Sequence, residues 1–204
     1  MLDFKEKTRQ LVNNEQIFWK LEQYVNLIEE KNKVMNLTGF SEDQLWKEGI
    51  YESIICLQPI IKNNKNSQSL LDVGAGAGFP SIPFLIFNTS IKLTIIEKLK
   101  KRCNFLELVK EKLNLDFEII NDSVSNLDKN FDFITARAVG SINFLFKITK
   151  KLQKPTTSFI YIKGPKVFEE ILEAKNALIK FDYKVEKINS DMDKQIFIFR
   201  AQKK

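Results

Sequence analysis

Leu70-Leu71-Asp72-Val73-Gly74-Ala75-Gly76-Ala77-Gly78-Phe79-Pro80 is an apolar run holding one acid, and it feeds a turn in which alternate residues are glycine. The pattern predicts a buried strand over Ser69–Val73, a tight backbone turn, and a helix over Ser81–Phe87, which is the first strand-to-helix junction of a nucleotide-binding sheet. Ligands sit there against the carboxyl ends of the strands. A dinucleotide fingerprint would need glycine at position 79, where Phe79 stands, so NAD and FAD fit poorly. Pro80 and Pro83 strip amide donors from the start of the helix, where a pyrophosphate would bind. Asp72 places a carboxylate beside the pocket, which repels phosphate and suits an ammonium or sulfonium group. S-adenosyl-L-methionine carries both cations and no phosphate. It is the expected cofactor, with Asp72, Gly74, Gly76, Gly78 and Phe79 around it.

Outward from the loop, short apolar runs alternate with helical spacing, as in a parallel sheet with crossover helices. Strands are expected at Lys92–Glu97, Phe117–Asn121, Phe131–Thr135 and Ser158–Lys163, with helices near Lys98–Leu113, Ser141–Leu152 and Val167–Ile179. Glu97 ends the second strand about twenty residues past the loop, where a carboxylate accepts from ribose hydroxyls; an NAD site would use the same residue. Tyr183–Ile188 and Gln195–Ala201, joined by Asn189–Lys194, resemble an antiparallel hairpin. Upstream, Phe18, Leu21, Val25 and Ile28 form one helical stripe, Asn36-Leu37-Thr38-Gly39 breaks it, and Ser41-Glu42-Asp43 reads as the cap of a helix through Trp46, Ile50 and Ile54. The polar stretch Lys62–Ser67 divides the chain into an N-terminal helical layer, 1–66, and a Rossmann-like domain, 67–204. The expected class is therefore α/β, with a mostly parallel sheet, a C-terminal antiparallel hairpin and an N-terminal helical extension.

With 204 residues, 44% of them hydrophobic, the chain can bury a full core without staples. Cys56 and Cys103 match neither a disulfide framework nor a metal-ligand spacing. Met1–Glu6 has no apolar export core, and the longest apolar runs, such as Ile82–Phe87, are too short to cross a bilayer, so a soluble cytoplasmic monomer is expected. A net charge of +6 favours an anionic partner such as nucleic acid, although biased codon usage also yields a lysine-rich chain. The sequence holds no histidine, which removes imidazole general bases, Ser-His-Asp triads and histidine-ligated metals.

The ordered motifs resemble those of the RsmG (GidB) family of bacterial 16S rRNA guanine-N7 methyltransferases. The resemblance rests on Met35-Asn36-Leu37-Thr38, on the loop from Leu71 to Pro83, on Lys101-Arg102-Cys103-Asn104-Phe105-Leu106, on Phe131-Asp132-Phe133-Ile134-Thr135-Ala136-Arg137-Ala138 and on Lys163-Gly164. It implies a class I methyltransferase fold and, as substrate, a guanine in the 530 loop of 16S rRNA within the small ribosomal subunit. It also maps cofactor contacts onto Gly74, Phe79, Val124, Ser125 and Arg137. Two positions depart. Gly49-Ile50-Tyr51-Glu52-Ser53 stands where the family usually has His-x-x-Asp-Ser, and Ser125 stands where an acid is common.

Nitrogen 7 of guanine has an in-plane lone pair and no proton, so it attacks a sulfonium methyl without a general base, which suits a chain lacking histidine. No Asn-Pro-Pro-Tyr-like segment follows Thr135-Ala136 to hold an exocyclic amine, and no nucleophilic cysteine follows the fourth strand. No residue is assigned a chemical step, and Arg137 and Lys163 are the positioning candidates. Arg137 suits the cofactor carboxylate, a target phosphate or guanine edge, or a salt bridge to a nearby acid. Lys163 suits rRNA or a cap on its own loop. The lysines near positions 98–102 and 147–154 read mainly as solvated faces, and Phe4, Phe18, Trp19 and Trp46 as core. The cofactor half alone fits equally a methyltransferase acting on a small molecule or a protein.

Overall fold

The computed structural model describes residues 3–61, 68–188 and 195–204. The boundary read at Lys62–Ser67 and the hairpin turn at Asn189–Lys194 lie outside the described residues. Seven strands form one sheet: β1 (Ser69–Val73), β2 (Lys92–Ile96), β3 (Glu118–Ile120), β4 (Phe131–Arg137), β5 (Gln153–Lys163), β6 (Phe181–Ile188) and β7 (Ile196–Lys203). Their order is β3-β2-β1-β4-β5-β7-β6. β1 to β5 run parallel, and β7 lies antiparallel to both β5 and β6. The strand order reverses between β1 and β4, the switch point where the crossovers leave a crevice. Register sets the site: Val73 lies opposite Ile96 and Ala136, and Arg137 opposite Ile162. Gly74, Glu97, Arg137 and Lys163 therefore stand along one edge.

The expected strands differ from the observed ones mainly at their ends. β5 begins at Gln153 rather than Ser158, because Phe131 pairs with Gln153 while Phe133 pairs with Ser158, so residues 154–157 bulge out of register. Pro155, which has no amide for the ladder, sits in that bulge, and the Lys154 amide bonds Thr157 Oγ1 at 2.7 Å instead. The helix read as Ser141–Leu152 is α7 (Ile142–Ile148) followed by a short 3-10 turn, and that read as Val167–Ile179 is α8 (Val167–Glu173) and α9 (Lys175–Leu178), broken at Ala174. Helix α5 (Ser81–Phe87) covers the expected range, and α6 (Lys100–Lys112) lies within the expected 98–113. Pro83 falls in the first turn of α5, where a missing amide costs no helical bond.

The N-terminal layer begins with α1 (Phe4–Val12) and α2 (Glu15–Met35), separated by Asn13 in the left-handed region and by the Asn14 side chain, which caps the Gln16 and Ile17 amides. The apolar stripe alone did not reveal this break. Phe18, Leu21, Val25 and Ile28 are buried as expected, and α2 ends at Asn36 with φ 49°. The following helix consists of α3 (Glu42–Gln44), a π-helical stretch over Leu45–Tyr51, and α4 (Glu52–Ile61), while Ser41 makes no side-chain cap. Phe18, Leu21, Ile28 and Ile54 share one core with Ile82, Leu93 and Phe105. The other sheet face packs Val73, Ile134, Phe146, Tyr161 and Phe199. Phe4, Phe18 and Trp46 are buried, but Trp19 is 59% exposed, correcting its reading as core.

Candidate cofactor site and target pocket

The glycine turn is held from both sides. Its first amide, on Gly74, donates to the Ile96 carbonyl at 2.8 Å, and those of Gly78 and Phe79 donate back to Ala75 at 2.8 and 3.0 Å. Gly78 has φ +108°, and a Cβ there would lie 2.7 Å from the Tyr24 hydroxyl, so a side chain is excluded both by conformation and by space. That hydroxyl, from the middle of α2, donates to the Ala77 carbonyl at 2.6 Å. The Phe79 ring turns away from the loop into the N-terminal layer, where it meets Tyr24 edge-on with centroids 6.0 Å apart. A Cβ at Gly49 would come within 2.8 Å of Phe79 Cζ, so glycine at this position lets the ring seat.

Near the end of β1 the Asp72 carboxylate is fully buried, and neither oxygen has a hydrogen-bond partner among the described residues. Burial pushes its pKa up to about 7; the neighbouring Ser81 hydroxyl and amide oppose the rise, and the charge of Glu97 adds to it. Ser81 nonetheless makes no side-chain hydrogen bond of ordinary geometry, so the carboxylate remains an unsatisfied acceptor beside the turn. A cationic group with N–H donors meets that need, and an anion would worsen it. Glu97, buried one residue past β2, is oriented by the Gly76 amide at 3.2 Å and the Leu99 amide at 2.9 Å, with Arg102 at 3.7 Å. Val124 is buried and Ser125 exposed on a 3-10 turn after β3, and Ser125 Oγ lies 2.9 Å from that of Ser123.

Arg137 forms the salt bridge that was one of its expected roles. Its Nη2 lies 3.1 Å from Glu52 Oε2 and 3.7 Å from Glu48 Oε2, and its Nη1 donates to the Glu48 carbonyl. The ring of Phe40 stands 5.5 Å from the guanidinium. Lys163 reaches not its own loop but the one after β4: its ammonium donates to the Gly140 carbonyl and pairs with Glu170, each at 2.6 Å, and the side chain is only 8% exposed. Between these groups a pocket of about 340 Å³ opens at the ends of β4 and β5, bordered by Phe40, Arg137, Gly164 and Pro165. A cavity of about 450 Å³ lies elsewhere, near Pro59, Phe133 and Asp182, away from the carboxyl ends of β1, β2 and β4. Sequence reasoning missed Tyr24, Phe40 and Glu48 as site residues. Glu48 and Glu52 did leave a signal, since two carboxylates spaced i, i+4 in a helix so apolar need a buried cation.

Among the folds built on such a sheet, this one is the class I methyltransferase. An O-methyltransferase from Bacillus cereus, solved in complex with SAH, superposes with a TM-score of 0.63 at 16% identity, covering 89% of this chain and 91% of that one. Sequence narrows the class further. Residues 17–198 match the model of rRNA small subunit methyltransferase G (GidB), and the chain belongs to that family. A relative of that name from Mesomycoplasma hyopneumoniae is 53% identical over 186 residues, spanning 89% of this chain and 90% of its own. Another, from Mycoplasma mobile, is 44% identical over 204 residues, spanning 97% and 89%. The family depends on S-adenosyl-L-methionine, the cofactor expected from the loop. Among the described residues no helix is long and apolar enough to cross a membrane.

Proposed function

We propose that the chain transfers a methyl group from S-adenosyl-L-methionine to ring nitrogen 7 of a guanine in the 530 loop of 16S rRNA, acting as a cytoplasmic monomer on the small ribosomal subunit. The observation that carries this reading is the family match across residues 17–198. S-adenosyl-L-methionine supplies an electrophilic methyl on its sulfonium. In this reading Asp72 accepts from the cofactor's ammonium, Glu97 from its ribose, and the backbone of Gly74, Gly76, Gly78 and Phe79 lines the space between them. Val124 and Ser125 border the base of the cofactor. The described part of the helical layer, residues 3–61, braces this unit from behind through Tyr24 and Gly49.

The target chemistry asks little of the protein beyond alignment. Nitrogen 7 carries no proton to remove, so the reaction needs no general base; the carboxylate on the pocket lining, Glu170, is paired with Lys163 at 2.6 Å. Holding the two reactants in line can contribute about 7–11 kcal/mol in ideal cases. Phe40 offers a ring face for an extruded base, and Arg137 offers guanidinium donors to a phosphate or a guanine edge. Borohydride and aniline cleavage of 16S rRNA, mapped by reverse transcription in cells with and without the gene, tests the reading. Loss of one cleavage site in the 530 loop is expected. A site that persists in the deletion strain would leave a small-molecule or protein substrate in its place.

A further inference from the structure

The helical layer and the sheet meet at a charged contact that the methyl-transfer chemistry does not by itself require. Glu48 and Glu52 reach Arg137 across 89 and 85 residues of sequence, and both glutamates are buried. Local backbone geometry makes the contact possible. In the π-helical stretch Leu45–Tyr51 the Glu52 amide bonds back five residues, to Lys47, and not four, to Glu48. The Glu48 carbonyl is thereby left to accept from Arg137 Nη1. Gln44 Nε2 holds Glu48 Oε1 at 2.8 Å, fixing that carboxylate as well.

We propose that Glu52 is a positioning residue: with the Glu48 carbonyl, it locks the Arg137 guanidinium so that its remaining donors face the target pocket before rRNA arrives. Two carboxylates and a carbonyl engage both terminal nitrogens of the fork, and the Phe40 ring lies against the guanidinium. The guanidinium borders the pocket and its side chain is 12% exposed, so in this reading the donors not held by Glu48 and Glu52 serve the pocket. A donor fixed in advance costs no reordering when the target binds. Burial raises the pKa of Glu52, and the charge of Arg137 counters it, as expected of an acid kept in place by its partner. Among the described residues Oε1 of Glu52 has no hydrogen-bond partner, and Arg137 is the only side chain bonded to that carboxylate.

This inference rests on the pocket being the target site, and the test separates the two. The chain has four arginines, so their side-chain N–H resonances can be assigned individually. Arg137 should exchange slowly with solvent in the wild type and as fast as the exposed Arg9 in Glu52→Gln. Steady-state methylation of small subunits should show kcat/KM reduced about tenfold in Glu52→Gln, a typical coupling for two groups in one network. The loss should fall on the same parameter, KM or kcat, that Arg137→Gln moves. The double variant should be no worse than Arg137→Gln alone, and Glu52→Asp should recover most of the loss. Losses that multiply in the double variant, or an Arg137 already as mobile as Arg9 in the wild type, would overturn the lock. A wild-type protein inactive on small subunits, with Arg137 still slow to exchange, would instead overturn the functional reading beneath it.

Discussion

Replacing Asp72 with asparagine should stabilise the cofactor-free protein at alkaline pH while weakening its grip on the cofactor. The carboxylate is fully buried with both oxygens unpartnered, and burial raises its pKa from 3.8 to about 7. Because the folded state binds the proton more tightly than the unfolded chain, the stability this group contributes is complete below about pH 4. It is lost as pH rises toward the folded value near 7. At 1.36 kcal/mol per tenfold change in proton affinity, the ionised carboxylate costs on the order of 4 kcal/mol above that pH. Asparagine removes this cost but buries an amide with donors to satisfy, at about 1–3 kcal/mol. The net gain is about 1–3 kcal/mol at pH 8, or several degrees in Tm for a chain of this size. Thermal melts of both proteins from pH 5 to 8.5 should show Asp72→Asn melting higher at pH 8, with the advantage gone by pH 5. Calorimetry with S-adenosylhomocysteine at pH 8 should show at least a tenfold loss of affinity, the worth of one charge-assisted hydrogen bond. A variant destabilised equally at every pH, or one binding the ligand as the wild type does, would refute the reasoning.

Three further substitutions probe how the site is held. Tyr24→Phe removes the 2.6 Å bond to Ala77 and leaves a buried carbonyl unpaired; it should cost about 1–2 kcal/mol in urea unfolding and weaken S-adenosylhomocysteine binding several-fold. Gly49→Ala drives a methyl to within 2.8 Å of Phe79 Cζ and 2.9 Å of Leu45 Cδ1, so it should lower stability by about 1–3 kcal/mol; an unchanged urea midpoint would show that the ring moves aside freely. Phe40→Ala should reduce kcat/KM for small subunits by roughly 5- to 150-fold, the worth of one stacked base, with cofactor affinity unchanged.

The region around Asp72 was legible because its signals are local: an apolar run, alternating glycines and a phenylalanine at position 79 need no distant partner to be read. The place of Glu97 beside the loop was legible the same way, from its distance along the chain. The lock on Arg137 was harder to see. Its partners lie 85 and 89 residues away, and the π-helical stretch that frees the Glu48 carbonyl breaks the period on which helix reading depends. The start of β5 escaped notice because its pairing jumps past Pro155, so no alternating pattern spans it. The seat of Phe79 was hidden for a related reason: Gly49 looked like a lost histidine, and only the packed structure shows the ring that fills the space. Trp19 was misread because a large aromatic beside a buried stripe resembles part of it, whereas its place on α2 faces solvent.

The most direct test gives the purified protein small subunits from cells lacking the gene, with a methyl-labelled cofactor, and identifies the labelled nucleoside after digestion. The account predicts one 7-methylguanosine per particle, located in the 530 loop, and transfer at limiting cofactor at least tenfold slower with Asp72→Asn. Label in any other nucleoside, label on a ribosomal protein, or no transfer to the particle at all would contradict it.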